Sequence, residues 1–326
     1  MNPVVDIQQP LAPPGLRFDP LIPSGGYQWW YVDAFSDDGQ SGLTVIVFIG
    51  SVFSPYYARA RQTGNPDAEN FCSVNAIFYG PDRKRWAMTE RGKGDVTRNR
   101  HYLQLASSGI DLKESVLQLS IDEVCVPFPS RLRGVVRVDL GTCTDQCFAL
   151  DEQGQHRWWP VSPRARVSVE LDRPNLAWQG SGYVDCNAGT VPLESTFSGW
   201  HWTRTDPING ESWIFYNRES VSGAKEGLTL RYTDGGGLQR GIALDDGPPV
   251  KPTPIWRCAR PVARTSGPSR IIKTLEDTPF YARSKMAVEH AGEQYTAMHE
   301  YVDLKRFSRP WVQRLLPFRM PRRARE

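Results

Sequence analysis

The 326-residue sequence carries none of the familiar catalytic signatures: no H-E-x-x-H, no C-x-x-C, no G-x-S-x-G and no P-loop. Zinc-protease, dithiol-redox, α/β-hydrolase and nucleotide-phosphate chemistry therefore have no motif to stand on. Cysteine is sparse, six in all, and its one close pair, Cys143 and Cys147, has a spacing that fits neither a redox centre nor half of a zinc ribbon. Reduced, mostly buried thiols and no metal are expected. Met1 to Gly15 lacks a basic residue and an apolar run, and Pro3, Pro10, Pro13 and Pro14 interrupt it, so no export signal is expected there. The longest uncharged run, Gly39 to Ala58, is diluted by Gln40, Ser41, Thr44, Ser51, Ser54 and Pro55. It reads as a buried strand over Leu43–Ile49 followed by a loop, not as a membrane span. No repeat of fixed period appears, which argues against a propeller. Gly235-Gly-Gly237 has no helix after it and reads as a hairpin turn, not a phosphate loop.

What the chain does hold is aromatic side chains and an uneven charge. Apolar residues make up 40% and charged residues 23%, the balance of a folded, soluble chain. The net charge is only +3, but residues 305–326 carry eight Lys/Arg and one acid, leaving −4 for the rest. A basic field confined to one end does not suit a groove-tracking nucleic-acid protein. Eleven Trp, twelve Tyr and thirteen Phe suit an aromatic-lined cavity as well as a dense core.

Short alternating, β-rich segments recur every ten or so residues between Gly, Pro, Asn and Asp. The pattern predicts strands from Tyr27–Phe35 onward to Tyr295–Leu304, with helical periodicity only in the last twenty residues. The expected fold is all-β, about 280 residues filling two antiparallel barrels. Its expected parts are an N-terminal extension (1–24), a first barrel (25–190), a second barrel (191–304) and a basic amphipathic tail (305–326).

Four segments set an acid or a histidine among aromatics. In a strand, alternate residues share a face. Trp29, Tyr31 and Asp33 therefore align, as do Tyr183, Asp185 and Asn187. Trp200, Trp202 and Arg204 stand opposite His201, and Tyr232 aligns with Asp234. Each pattern also fits a half-exposed strand whose acid caps a turn, and a solitary histidine is more often structural. Together they point to acids in one aromatic cavity. There a carboxylic acid stays protonated near neutrality and can protonate an alkene, and ring faces stabilise the cation. That chemistry needs no cofactor.

Gly26-Tyr-Gln-Trp-Trp-Tyr-Val-Asp-Ala-Phe35, the run Leu43 to Tyr57, Trp86-Ala-Met-Thr-Glu-Arg-Gly92, Gly180 to Gly189, Phe197-Ser-Gly-Trp-His-Trp202 and Tyr232-Thr-Asp234 resemble the carotenoid 1,2-hydratases. The resemblance spans roughly residues 20 to 305. It implies two lipocalin-like barrels and a hydro-lyase that adds water to the terminal 1,2 double bond of acyclic carotenes such as neurosporene and lycopene. Protonation at C2 would leave a tertiary cation at C1. On this resemblance Asp234 is expected to be the general acid, oriented by Tyr232. Trp202 would stabilise the cation and His201 would handle the attacking water. Trp29, Tyr31, Asp33, Tyr183, Asp185, Asn187 and Trp200 are expected to line the substrate site, with Asp33 and Asp185 as alternative acids. His201 and Trp202, being adjacent, cannot both face inward from a regular strand. Where the wider superfamily of two lipocalin-like barrels often has Asp-His-Asn, this chain has Asp185-Cys186-Asn187, which leaves Cys186 without a role.

The tail mixes its basic residues with Phe307, Trp311, Val312, Leu315, Leu316, Phe318 and Met320, a composition that suits an anionic membrane surface. A cytoplasmic protein held peripherally at the inner membrane is expected. A non-catalytic polyene carrier of the same shape, or another cofactor-free enzyme of the same fold such as a cyclase, are the competing readings.

Overall fold

The computed structural model describes residues 15–324 except 65, 82, 235 and 236. Most of the expected N-terminal extension, two glycines of the Gly235 hairpin and the last two residues lie outside the described residues. The fold is all-β, two curled sheets of lipocalin-like character, antiparallel apart from one two-residue strand near the C-terminal end. The first is built from β1 (Tyr27–Ser36), β2 (Gly42–Ile49), β3 (Cys72–Tyr79), β4 (Lys84–Arg91), β5 (Val96–Arg98), β6 (Tyr102–Leu105), β7 (Ser108–Lys113), β8 (Val116–Val124), β9 (Arg131–Asp139), β10 (Phe148–Ala149), β11 (His156–Arg173) and β12 (Leu176–Gly189). Its main path runs β4-β3-β2-β1-β12-β11-β9-β8-β7-β6-β5, and it curls until Arg91 on β4 meets Glu123 on β8 at 3.1 Å. The second holds β13 (Phe197–Thr205), β14 (Glu211–Ser220), β15 (Lys225–Thr233), β16 (Gly237–Arg240), β17 (Ser269–Asp277), β18 (Tyr281–His290) and β19 (Glu293–Asp303), ordered β16-β15-β14-β13-β19-β18-β17.

β1 is buried on both faces, and that fact organises the molecule. Trp30, Val32 and Ala34 enter the first sheet's own core with Val45, Val47 and Val74. Trp29, Tyr31 and Phe35 point the other way, into a cluster shared with Trp200, Trp202 and Tyr216 of the second sheet. Buried aromatics of this size dominate such a core. The close approach of β12 to β1 requires glycine, since a Cβ at Gly180 would overlap the carbonyl oxygen of Phe35.

Two stretches differ from expectation. The segment after β2, expected as a loop, turns over residues 50–54 and then forms helix α1 (Pro55–Thr63), capped by Ser54 accepting from the Tyr56 and Tyr57 N–H groups, with Pro55 in its first turn. Strand β11 starts nine residues before the predicted Ala165, because Pro160 and Pro163 mask a strand that bulges between Trp159 and Ala165. The short helix α2 (Leu193–Thr196) joins the sheets.

The basic tail is folded. Helices α3 (Leu304–Phe307) and α4 (Pro310–Leu315) lead through a 3-10 turn to strand β20 (Arg322–Arg323), which pairs in parallel with β4. Leu304, Phe307, Val312 and Met320 are buried, so the apolar residues interleaved with the charges anchor a strap from the second sheet back to the first. Among the described residues no helix is long and apolar enough to cross a membrane.

Candidate active site

Register builds the site. Across the first sheet, Asp185, Tyr31, Ile46, Asn75 and Met88 are successive partners on one face. Across the second, Tyr216, Trp202, Glu300 and Arg283 are successive partners. The two rows face each other, and between them lies a cavity of about 390 Å³. Trp29, Phe48, Trp200 and Asn187 extend its wall, and Leu315, Leu316, Phe318 and Met320 of the strap close one side.

Asp185 sits in this wall, 5% exposed. Its Oδ2 accepts the indole N–H of Trp158 at 2.9 Å and the hydroxyl of Tyr183 at 3.1 Å, while Oδ1 has no partner. Burial holds its carboxyl far above the usual range; the two donors oppose that shift without cancelling it. When protonated, Asp185 carries its proton on the unpartnered oxygen, because Oδ2 is already an acceptor twice over. Trp202 packs against Tyr183 and Tyr31, with ring centres 5.1 and 5.7 Å apart.

A buried ionic network lies beside the acid. Arg204 donates through Nε to Asp33 Oδ1 at 2.8 Å and also pairs with Asp206. Arg283 donates through Nε to Glu300 Oε1 at 2.8 Å and through Nη1 to Tyr79 Oη at 2.9 Å. The Tyr31 hydroxyl lies 2.9 Å from Asp33 Oδ2 and 2.6 Å from Glu300 Oε1, so its one proton serves one carboxylate at a time.

The expected site residues thus divide. Trp29, Tyr31, Asp185, Asn187, Trp200 and Trp202 line the cavity. Asp33 and Tyr183 are buried behind it, bonded to the lining. Asp234 is elsewhere: it ends β15 in a turn, its side chain 69% exposed and paired with Arg164. Tyr232 is buried but gives its hydroxyl to the Thr142 carbonyl at 3.3 Å. The adjacency of His201 and Trp202 is resolved by plain alternation, since β13 is regular from Gly199 to Arg204. His201 points away from the aromatic cavity and meets Asp246 Oδ1 at 2.8 Å. There it borders a second, more polar depression of about 530 Å³ shared with Asn217 and Lys225. That depression is the larger of the two, but it lacks the aromatic wall and the buried acid. Cys186 likewise faces the first sheet's core, so the Asp-Cys-Asn departure does not touch the cavity.

Sequence reasoning missed Trp158, Glu300 and Arg283. Trp158 lay in the proline-masked part of β11. Glu300 and Arg283 sit in predicted strands, but only the cross-strand register brings them opposite Trp202.

The model of the family Carotenoid hydratase CrtC matches residues 45–326. An acyclic carotenoid 1,2-hydratase of Thiocapsa roseopersicina is 43% identical over 314 residues, 94% of this chain and 76% of the relative. One of Rubrivivax gelatinosus is 40% identical, with coverage of 94% and 76%. Among solved structures, a protein assigned as AttH from Nitrosomonas europaea superposes with a TM-score of 0.60 at 12% identity, covering 93% of this chain and 98% of that one, a likeness of fold alone. With both the matched model and the relatives spanning most of its length, the chain belongs to the carotenoid hydratase family.

Proposed function

We propose that this protein hydrates the terminal 1,2 double bond of acyclic carotenes, with Asp185 as the general acid. One observation carries the assignment of the acid: a buried carboxyl group in an aromatic cavity, with one oxygen bonded twice and the other free. Asp185 gives its proton to C2, the double-bond electrons form the new C–H bond, and a tertiary cation remains at C1. Trp202 and its ring neighbours stabilise that cation with their faces. Water then adds at C1 and loses a proton, giving the tertiary alcohol. Only alkene and water enter the balance.

The cavity, about 390 Å³, sits low in the ~300–1,000 Å³ range of small-molecule sites. A carotene is about as long as a bilayer core is thick, ~30 Å. The cavity thus suits one chain end, where the 1,2 bond is, with the remainder left outside. The strap supports the second part of the reading, that substrate is drawn from an anionic membrane surface at the cytoplasmic face. Trp311 and Phe318 are exposed beside Arg309 and Arg314, and a water-insoluble substrate has to be collected from lipid.

The test is Asp185→Asn against Asp234→Asn, each checked for fold by circular dichroism and assayed with lycopene in oxygen-18 water. Wild type and Asp234→Asn are expected to give product heavier by one labelled water, and Asp185→Asn to lose about 10²–10⁴-fold. Near-normal hydration by Asp185→Asn would overturn the assignment of the acid. Binding of lycopene by the wild type with no labelled product would favour the carrier reading.

A further inference from the structure

Four carboxyl side chains reach the cavity wall: Asp185, Glu276, Asp277 and Glu300. Glu276 takes Lys84 Nζ on both oxygens at 2.9 Å. Asp277 accepts from the backbone N–H groups of Ile255 and Trp256, one on each oxygen. Glu300 is arranged differently. Its Oε1 receives both Arg283 contacts and lies 2.6 Å from the Tyr31 hydroxyl, while no hydrogen bond from a described residue goes to Oε2. One oxygen is thus held fast and the other is left over, on a side chain that is cross-strand from Trp202. Tyr31 is cross-strand from Asp185 and within hydrogen-bond reach of Glu300, so it stands between the two.

Resting on Asp185 as the acid, the geometry points to Glu300 as the base that deprotonates the attacking water, with Tyr31 as its positioning residue. Asp185 protonates C2 and becomes a carboxylate. A water lone pair forms the C1–O bond, and one water proton passes to Glu300 Oε2. That proton returns through solvent to Asp185, restoring both groups. The salt bridge to Arg283 balances the charge of Glu300 before the proton arrives, and the two wall carboxyls take opposite parts, as in other acid–base pairs set by environment.

Acid and base are separable in deuterated water. Asp185 exchanges its proton for deuterium, delivers it to C2, and can remove the original hydrogen from C2 again without any water adding. Glu300→Gln is expected to lose hydration by about 10²–10⁴-fold while recovered carotene still gains deuterium at C2. Asp185→Asn is expected to lose both signals. Because Glu300→Gln leaves Arg283 as a buried, unpaired cation, the double variant Glu300→Gln/Arg283→Met is run beside it with the same expectation. Hydration near the wild-type rate, or loss of exchange together with hydration in folded protein, would overturn Glu300 as the base. Retained exchange in Asp185→Asn would instead overturn the acid on which the inference rests.

Discussion

Trp158 donates its indole N–H to Asp185 Oδ2 across 2.9 Å, so a tryptophan at the start of a long, bulged strand joins Tyr183 on one carboxyl oxygen and leaves Oδ1 unbonded. The acid works only while protonated, and burial has raised it well above its ordinary range. With Asp185 as the proposed acid, hydration should therefore fall as pH rises and Asp185 ionises, at a pH above the ordinary carboxyl range. The stability effect has the same sign: a carboxyl raised on folding stabilises fully below its unfolded value, and this is lost as pH rises through the folded value. Asp185→Asn should accordingly melt progressively higher relative to wild type as pH goes from 4 to 8. A constant difference across that range would contradict a buried neutral acid.

Trp202 carries the cation in this mechanism. Replacing it by leucine keeps an apolar wall but removes the ring face, a loss of about 2 kcal/mol when desolvated. At 1.36 kcal/mol per decade that is roughly 30-fold in kcat. KM should change little, since the uncharged ground state gains nothing special from the ring. An equal loss shared between kcat and KM would make Trp202 a packing residue only.

How far the sequence alone reaches is visible in these residues. The alternation Trp29, Tyr31, Asp33 marked one face of β1, and Trp202 was already a cavity candidate, because period-2 patterning survives in any strand buried on one side or two. The expected acid, Asp234, lies outside the cavity for a different reason. Tyr232 and Asp234 show the same local pattern as Tyr183 and Asp185, and only tertiary position separates them: one aspartate ends in an exposed turn beside Arg164, the other beneath Trp158. His201 was assigned to the water against strand alternation, and alternation prevailed. Glu300 could not be found from its own strand, because its significance lies in its register against Trp202 and in its distance to Tyr31, 269 residues earlier.

The Asp33–Arg204 pair has a structural role. Both side chains are almost fully buried, and Arg204 also holds Asp206. Arg204→Met strands two carboxylates and should cost about 3–5 kcal/mol. Asp33→Asn leaves the arginine paired with Asp206 and should cost less, about 1–3 kcal/mol. Urea unfolding of the two variants checks the order, and a larger loss for Asp33→Asn would refute it.

Glu90 latches the strap. It is fully buried, bonded through Oε1 to Arg322 at 2.5 Å, and burial pushes its carboxyl up to about 7. Its stabilising contribution is present below the ordinary carboxyl range and is lost as pH rises through about 7. Arg322→Gln removes the cation that tolerates ionised Glu90. The variant should lose little at pH 5 and about 1–3 kcal/mol at pH 8. Limited proteolysis of the C-terminal segment at the two pH values reads the difference, and equal susceptibility at both would show that the pair is not the latch.

The strap also decides how the membrane proposal has to be tested. Because Leu315, Leu316, Phe318 and Met320 form cavity wall, deleting the segment would damage the site as well as any lipid contact. Point substitutions at its outer surface separate the two. Trp311 on the strap is 43% exposed and Ile255 on the loop beside it 77% exposed, and neither lines the cavity. Changing both to glutamate places charge where an apolar face would enter lipid. Arg309→Gln with Arg314→Gln removes about 1 kcal/mol of attraction per residue on an anionic surface. In sedimentation with vesicles, the glutamate variant should lose binding to anionic and zwitterionic lipid alike. The glutamine variant should lose it only on phosphatidylglycerol, and more at low salt than at high. Hydration of lycopene dispersed in detergent should survive in the glutamine variant, because neither arginine lines the cavity. Unchanged partitioning of both variants would leave the strap as a cavity wall and nothing more.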